Sequence, residues 1–131
     1  LKWTGVIVLA SLAACSSQGA APLGPNICWR MLKGADEKPR FDIVGRDVPN
    51  LESCAVRLEG ARLMEGGPIS GAYNGHFIFA TAEQITAARR MDGVRVRVFE
   101  AEDRREIQAG LRMLIERQAA VISPESPSST E

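Results

Sequence analysis

The chain has 131 residues, with 16 Lys plus Arg against 16 Asp plus Glu, and 45% of its side chains are hydrophobic. The balanced charge supplies no basic field for nucleic acid or for an anionic surface as a whole. This length of chain buries one modest core rather than two.

Residues 3–14 carry no charge, follow the single cation Lys2, and end in small residues before a Cys. This is the layout of a secretory signal peptide. An apolar run of about a dozen residues is too short to span a bilayer, which takes roughly twenty in a helix, so removal is expected. The junction Leu12-Ala13-Ala14-Cys15 resembles the lipobox of bacterial lipoproteins. The resemblance covers this segment alone. It implies that residues 1–14 are a lipoprotein signal peptide, that the Cys15 thiol takes a diacylglyceryl thioether, and that the new Cys15 amine is acylated, with palmitate as the expected chain. Two or three acyl chains, at about 0.8 kcal/mol per buried methylene, hold a protein almost irreversibly. In that family an Asp directly after the Cys favours the inner membrane; Ser16 and Ser17 stand here, which implies the outer membrane with the domain facing the periplasm. Ordinary secretion, with cleavage after Ala13 or Ala20, is the alternative.

Three Cys are present. Lipidation of Cys15 leaves Cys28 and Cys54 as an even pair in an oxidising compartment, where a disulfide is the default. Closing a loop of this length stabilises by about 3–4 kcal/mol in the chain-entropy picture. Two separately buried thiols are the other reading. Two distant Cys with a single His cannot complete a four-ligand metal site without carboxylates, so neither metal nor cofactor is expected.

In chain order, residues 15–26 comprise the lipidated Cys and a small, polar, Pro-broken tether. Residues 27–122 form the folded domain. Residues 27–32 and 40–44 are apolar-rich runs around a polar cluster, which predicts an antiparallel hairpin with Cys28 and Trp29 on opposite faces. Asn50 is placed to cap a helix in which Leu51, Cys54, Ala55, Leu58, Ala61 and Arg62 form the buried stripe, and Gly66-Gly67-Pro68 ends it. Residues 69–73 and 76–81 flank Asn74-Gly75, the strongest two-residue hairpin signal. The apolar run Phe77, Ile78, Phe79 suits a strand covered on both faces at the centre of the sheet.

Thr81 and Gln84 match a capping box, which predicts a short helix ending near Met91. Residues 94–99 alternate, predicting a half-buried strand with Val94, Val96 and Val98 inward and Arg95 and Arg97 outward. A last helix is expected over residues 102–122, with Ile107, Leu111, Leu114, Ile115 and Ile122 on its apolar stripe. Residues 123–131 are rich in Pro and Ser and read as a disordered tail. The expected fold is α+β, a mainly antiparallel sheet of four to five strands with helices packed on one face and the disulfide joining the first strand to the first helix.

His76 is the only side chain whose ordinary pKa lies near neutrality, yet no nucleophile with an acidic partner accompanies it in sequence, and no enzyme is expected. The glycines at 66, 67, 71 and 75 fit neither the phosphate-loop nor the dinucleotide spacing. Met31, Met64, Met91 and Met113 are scattered singly, as core filler is. Arg95 and Arg97, together with Arg89 and Arg90, are the candidate contacts for an anionic ligand, against the default of a solvated strand face. The expectation is a lipid-anchored envelope protein that binds or scaffolds an envelope protein partner, with a small ligand-binding module for glycan or an anionic molecule as the alternative.

Overall fold

The computed structural model describes residues 20–33 and 38–122. The signal segment, Cys15, the first part of the tether, the tip of the first hairpin and the 123–131 tail lie outside the described residues.

Six strands form one antiparallel sheet: β1 (Cys28–Lys33), β2 (Pro39–Gly45), β3 (Ile69–Tyr73), β4 (His76–Ala80), β5 (Ile85–Ala88) and β6 (Val96–Arg97). Their order is β2-β1-β3-β4-β5-β6. Two helices, α1 (Leu51–Glu65) and α2 (Ala101–Ile122), complete the α+β fold. The strand count exceeds the expected four to five because residues 85–88 join the sheet.

Local signals account for most of the boundaries. Asn50 adopts an extended conformation and its Oδ1 accepts the Ser53 N–H at 2.8 Å, satisfying one of the free donors of α1's first turn. Gly66 ends the helix in the left-handed region (φ 80°), where its N–H donates to the Arg62 carbonyl at 2.8 Å. Asn74 and Gly75 both have positive φ, 44° and 79°, as a type I′ turn demands. That turn sets the β3–β4 register, with Tyr73 opposite His76 and Gly71 opposite Ile78.

The alternation of side chains divides the sheet into two apolar layers. Helix α1 lies on one face, where Cys54, Ala55 and Leu58 pack with Cys28, Ile69, Tyr73, Ile78, Ala80 and Ile85. The other face carries Phe77, Phe79, Ala72 and Ala88, flanked by Trp29, Met31 and Phe41. Gly71 allows the close approach of α1: a Cβ there would meet the Trp29 carbonyl oxygen at 2.2 Å and a Leu58 methyl at 2.6 Å. On the helix side, Cys28 and Cys54 form a fully buried disulfide with Cα atoms 5.3 Å apart. Arg30 of β1 and Glu65 at the end of α1 pair through two contacts, at 2.8 and 3.0 Å.

Three expectations are corrected. The predicted helix from Thr81 to Met91 is strand β5 instead. The capping-box residues do bond, Gln84 N–H to Thr81 Oγ1 at 3.2 Å and Thr81 N–H to the Gln84 carbonyl at 3.0 Å, but they close a turn. The edge of β4 needs backbone partners, and the β-branched Ile85 and Thr86 supply them opposite Ala80 and Phe79. The predicted half-buried strand over 94–99 shrinks to Val96–Arg97, with Val94 and Val96 exposed and only Val98 and Phe99 packed on the core. The register puts Val96 beside Ala87 on the Ile78 face, where it stays exposed, and Arg97 on the face of Phe79, whose ring Arg95 covers. Finally, residues 20–26 do not hang free as a tether. Ala21 is buried, the Gly75 N–H donates to the Pro22 carbonyl at 3.1 Å, and the Val48 N–H donates to the Asn26 carbonyl at 2.9 Å.

The disulfide yields a direct test. Cys28→Ser and Cys54→Ser are each expected to lower the unfolding free energy by about 2–4 kcal/mol, and the double variant by little more than either single. Chemical denaturation of the three variants measures this; fully additive losses would mean that the two sulfurs act separately.

Candidate functional site

Two constellations stand out, one electrostatic and one apolar. The first is built on Glu59, whose side chain has no solvent exposure. Arg62, one turn along α1, reaches it with Nε at 2.9 Å and with a closer Nη2 contact. Arg104 of α2 reaches Oε2 with Nη2 at 3.1 Å, and Gln108 reaches Oε1 at 3.3 Å. The Arg104 guanidinium also donates to the Ala82 carbonyl at 3.1 Å and to the Thr81 carbonyl. One carboxylate thus joins α1, α2 and the β4–β5 turn. Burial raises the Glu59 pKa, but hydrogen bonds from Arg62, Arg104 and Gln108 and the charge of Arg104 outweigh it and hold the carboxyl below its ordinary value.

This network ties structural elements together. A 110 Å³ recess beside it, between Gln84, Arg97 and Arg104, is too small for more than a few atoms. Sequence reasoning passed over both key residues. Glu59 lies four residues after Ala55 and three before Arg62, and Arg104 lies three before Ile107. A charged residue on each apolar stripe is therefore the signal that was available.

The second constellation is the sheet face opposite α1, where no helical residue joins the apolar cluster among the described residues. Phe41 and Phe77 have ring centroids 6.4 Å apart, and Phe77 and Phe79 6.3 Å apart. Between residue 20 on one side and Met91 on the other lies a cavity of about 310 Å³, walled by Met31, Phe41 and Phe77, with Ser70 and Lys33 as its polar contributors. Its volume is at the lower end of the range for ligand cavities, about 300–1,000 Å³. A second cavity of about 390 Å³ has Ala87, Ala88, Val94 and Val96 on its wall together with His76, Arg89 and Arg90.

The candidate residues from sequence are distributed as follows. Cys28 and Cys54 are brought together. Cys15 lies outside the described residues. Arg95 and Arg97 are held by different partners: the Arg95 guanidinium carbon stands 3.9 Å above the Phe79 ring centre, a cation–π geometry, while Arg97 pairs with Glu100 at 3.6 Å. Arg89 and Arg90 share the second cavity instead. His76 Nδ1 is 3.2 Å from the Asn74 carbonyl oxygen, so this nitrogen carries the proton and donates it. Ser70 pairs with Phe79, three residues along β4 from His76, so the two form no catalytic pair. Among the described residues no three His, Cys, Asp or Glu side chains are grouped to hold a metal ion, and no helix is long and apolar enough to cross a membrane.

No family model, no curated protein and no solved structure matches the chain.

Replacing Glu59 by Gln leaves Arg104 buried without a counter-charge, and a broken buried pair costs about 3–5 kcal/mol. The same depressed pKa fixes the pH dependence. The contribution of Glu59 is fully present above the ordinary carboxylate pKa of about 4.3 and is lost as pH falls through the lower folded value. Denaturation midpoints across the acid range should therefore fall steeply for the wild type below about pH 4, and Glu59→Gln should flatten that limb. A variant with unchanged acid sensitivity would remove Glu59 from the account.

Proposed function

We propose that the chain is a lipid-anchored cell-envelope protein, held through Cys15 at the outer membrane and facing the periplasm, that acts by binding an envelope partner. The observation that carries the binding part is the cavity of about 310 Å³ on the helix-free face, with apolar walls and one cation at its edge. An aromatic and methionine lining accepts side chains of varied shape, because thioethers re-pack easily and aromatic faces bury much area at low entropic cost. A partner segment that offers two or three apolar side chains, with a carboxylate near Lys33, fits this chemistry. The opposite face, closed by α1 and the disulfide, keeps the cavity floor rigid, which lowers the ordering cost of binding.

Anchoring rests on the resemblance of residues 12–15 to a lipobox. An anchored domain of this size needs no catalytic apparatus to localise or scaffold a partner.

Two experiments test the two halves. A photoreactive residue at position 91, on the cavity rim, should give a discrete crosslinked adduct in intact envelopes, and Ser70→Phe, which fills the cavity from its floor, should abolish it. An adduct that survives cavity filling, or no adduct, overturns the binding site. For the anchor, Cys15→Ser should remove labelling by fatty-acid analogues and release the folded domain from salt-washed membranes. Retained label on that variant overturns the anchor.

A further inference from the structure

We infer that the loop joining β5 to β6, residues 89–95, with the exposed edge at Val96, is a docking surface for an anionic lipid bilayer. The inference rests on the anchor reading only for the proximity of a membrane; the surface itself is argued from the fold.

The loop sets exposed apolar side chains among cations. Val94 is 87% exposed and Val96 64%, and Met91 is exposed beside them. Interleaved with them are Arg89, Arg90 and Arg95. Arg89 makes no ion pair among the described residues, Arg90 has only a 3.9 Å contact with the equally exposed Asp92, and Arg95 lies flat on Phe79 with its charge still at the surface. Three cations face one carboxylate on this loop, in a chain whose total charge is zero. Apolar tips set among cations suit the boundary between headgroups and acyl chains, where the valines enter the apolar layer and the guanidinium groups meet phosphates. A small free anion would need the arginines but not the valines.

The chain path adds an independent argument. Residue 20 and Met91 wall the same cavity, so the polypeptide leaves the described domain beside this loop. Leu23, 83% exposed, rests over Gly75, the residue before His76, and His76 shares a cavity with Arg89 and Arg90. Five residues separate position 15 from position 20, a reach of at most about 18 Å when fully extended. A lipid on Cys15 would therefore hold the Met91 end of this loop within tether reach of the headgroups.

The test uses the chain from Ser16 to Glu131, which keeps every described residue and carries no lipid, in flotation with vesicles. Binding is expected to vesicles of phosphatidylglycerol mixed with phosphatidylcholine, to weaken as salt is raised, and to be much weaker on phosphatidylcholine alone. Each basic residue near such a surface is worth about fivefold, so Arg89→Gln with Arg90→Gln should weaken binding about 25-fold. Val94→Ser should weaken it further without altering the fold, since that side chain is 87% exposed. Equal binding to neutral vesicles, or unchanged binding by the double Arg variant, overturns the inference. Because this chain lacks Cys15, the result is independent of whether Cys15→Ser releases the full protein.

Discussion

Glu59 is the group on which the rest of the architecture depends. A carboxylate removed from water is costly, and it persists in the folded state because Arg62, Arg104 and Gln108 satisfy it together. Since Arg104 also ties down the Thr81 and Ala82 carbonyls, the same pairing decides where the β4–β5 turn sits and how α2 meets α1. Leu111 of α2 then fits against Gly60, where the absence of a side chain leaves a flat surface. The contact is short: Ile107, Leu111 and Ile115 are half-buried, whereas Met113 and Leu114 remain exposed.

With the helices committed to one face, the other face of the sheet carries aromatic and methionine side chains and, among the described residues, no second layer of its own. The chain covers it with what is at hand. Ala21 is buried against it on one side, and on the other the loop after β5 brings Arg95 over Phe79. Among the described residues, what stays open on this face is the cavity at Met31, Phe41 and Phe77. The open cavity thus follows from an imbalance of the fold, with both helices on one side of a two-faced sheet of six strands. The cystine and Gly71 hold the covered face close enough to α1 that the uncovered face keeps its shape.

Most of what was legible in the sequence was local. The Asn50 cap, the Gly66 stop, the Asn74-Gly75 turn and the stripe through Cys54 and Leu58 each depend on contacts within a few residues, and each appears as read. The same holds for the opposite faces of Cys28 and Trp29, which strand geometry alone dictates. The failures share a cause. Thr81 and Gln84 make one bond of a capping box, Gln84 N–H to Thr81 Oγ1, in a turn, while the Thr81 N–H goes to the Gln84 backbone carbonyl, so the motif by itself could not choose between turn and helix. The alternating valines of residues 94–98 matched a half-buried strand, but alternation says nothing about whether a neighbouring strand exists to cover the apolar side.

By itself, then, the sequence determined the α+β class, the main hairpins and the first helix, because capping, turn chemistry and side-chain period are properties of short segments; the Cys28–Cys54 pair was an expectation from cysteine count and compartment, and the fold joined the two across 26 residues. Tertiary structure alone decided the strand order, the burial of Glu59 against Arg104, the seat of Arg95 on Phe79 and the helix-free cavity. These depend on residues up to 49 positions apart, as Glu59 and Gln108 are, and on competition for backbone partners at the sheet edges. No local pattern encodes the outcome of that competition, because it is settled by which face the helices occupy once the chain is closed.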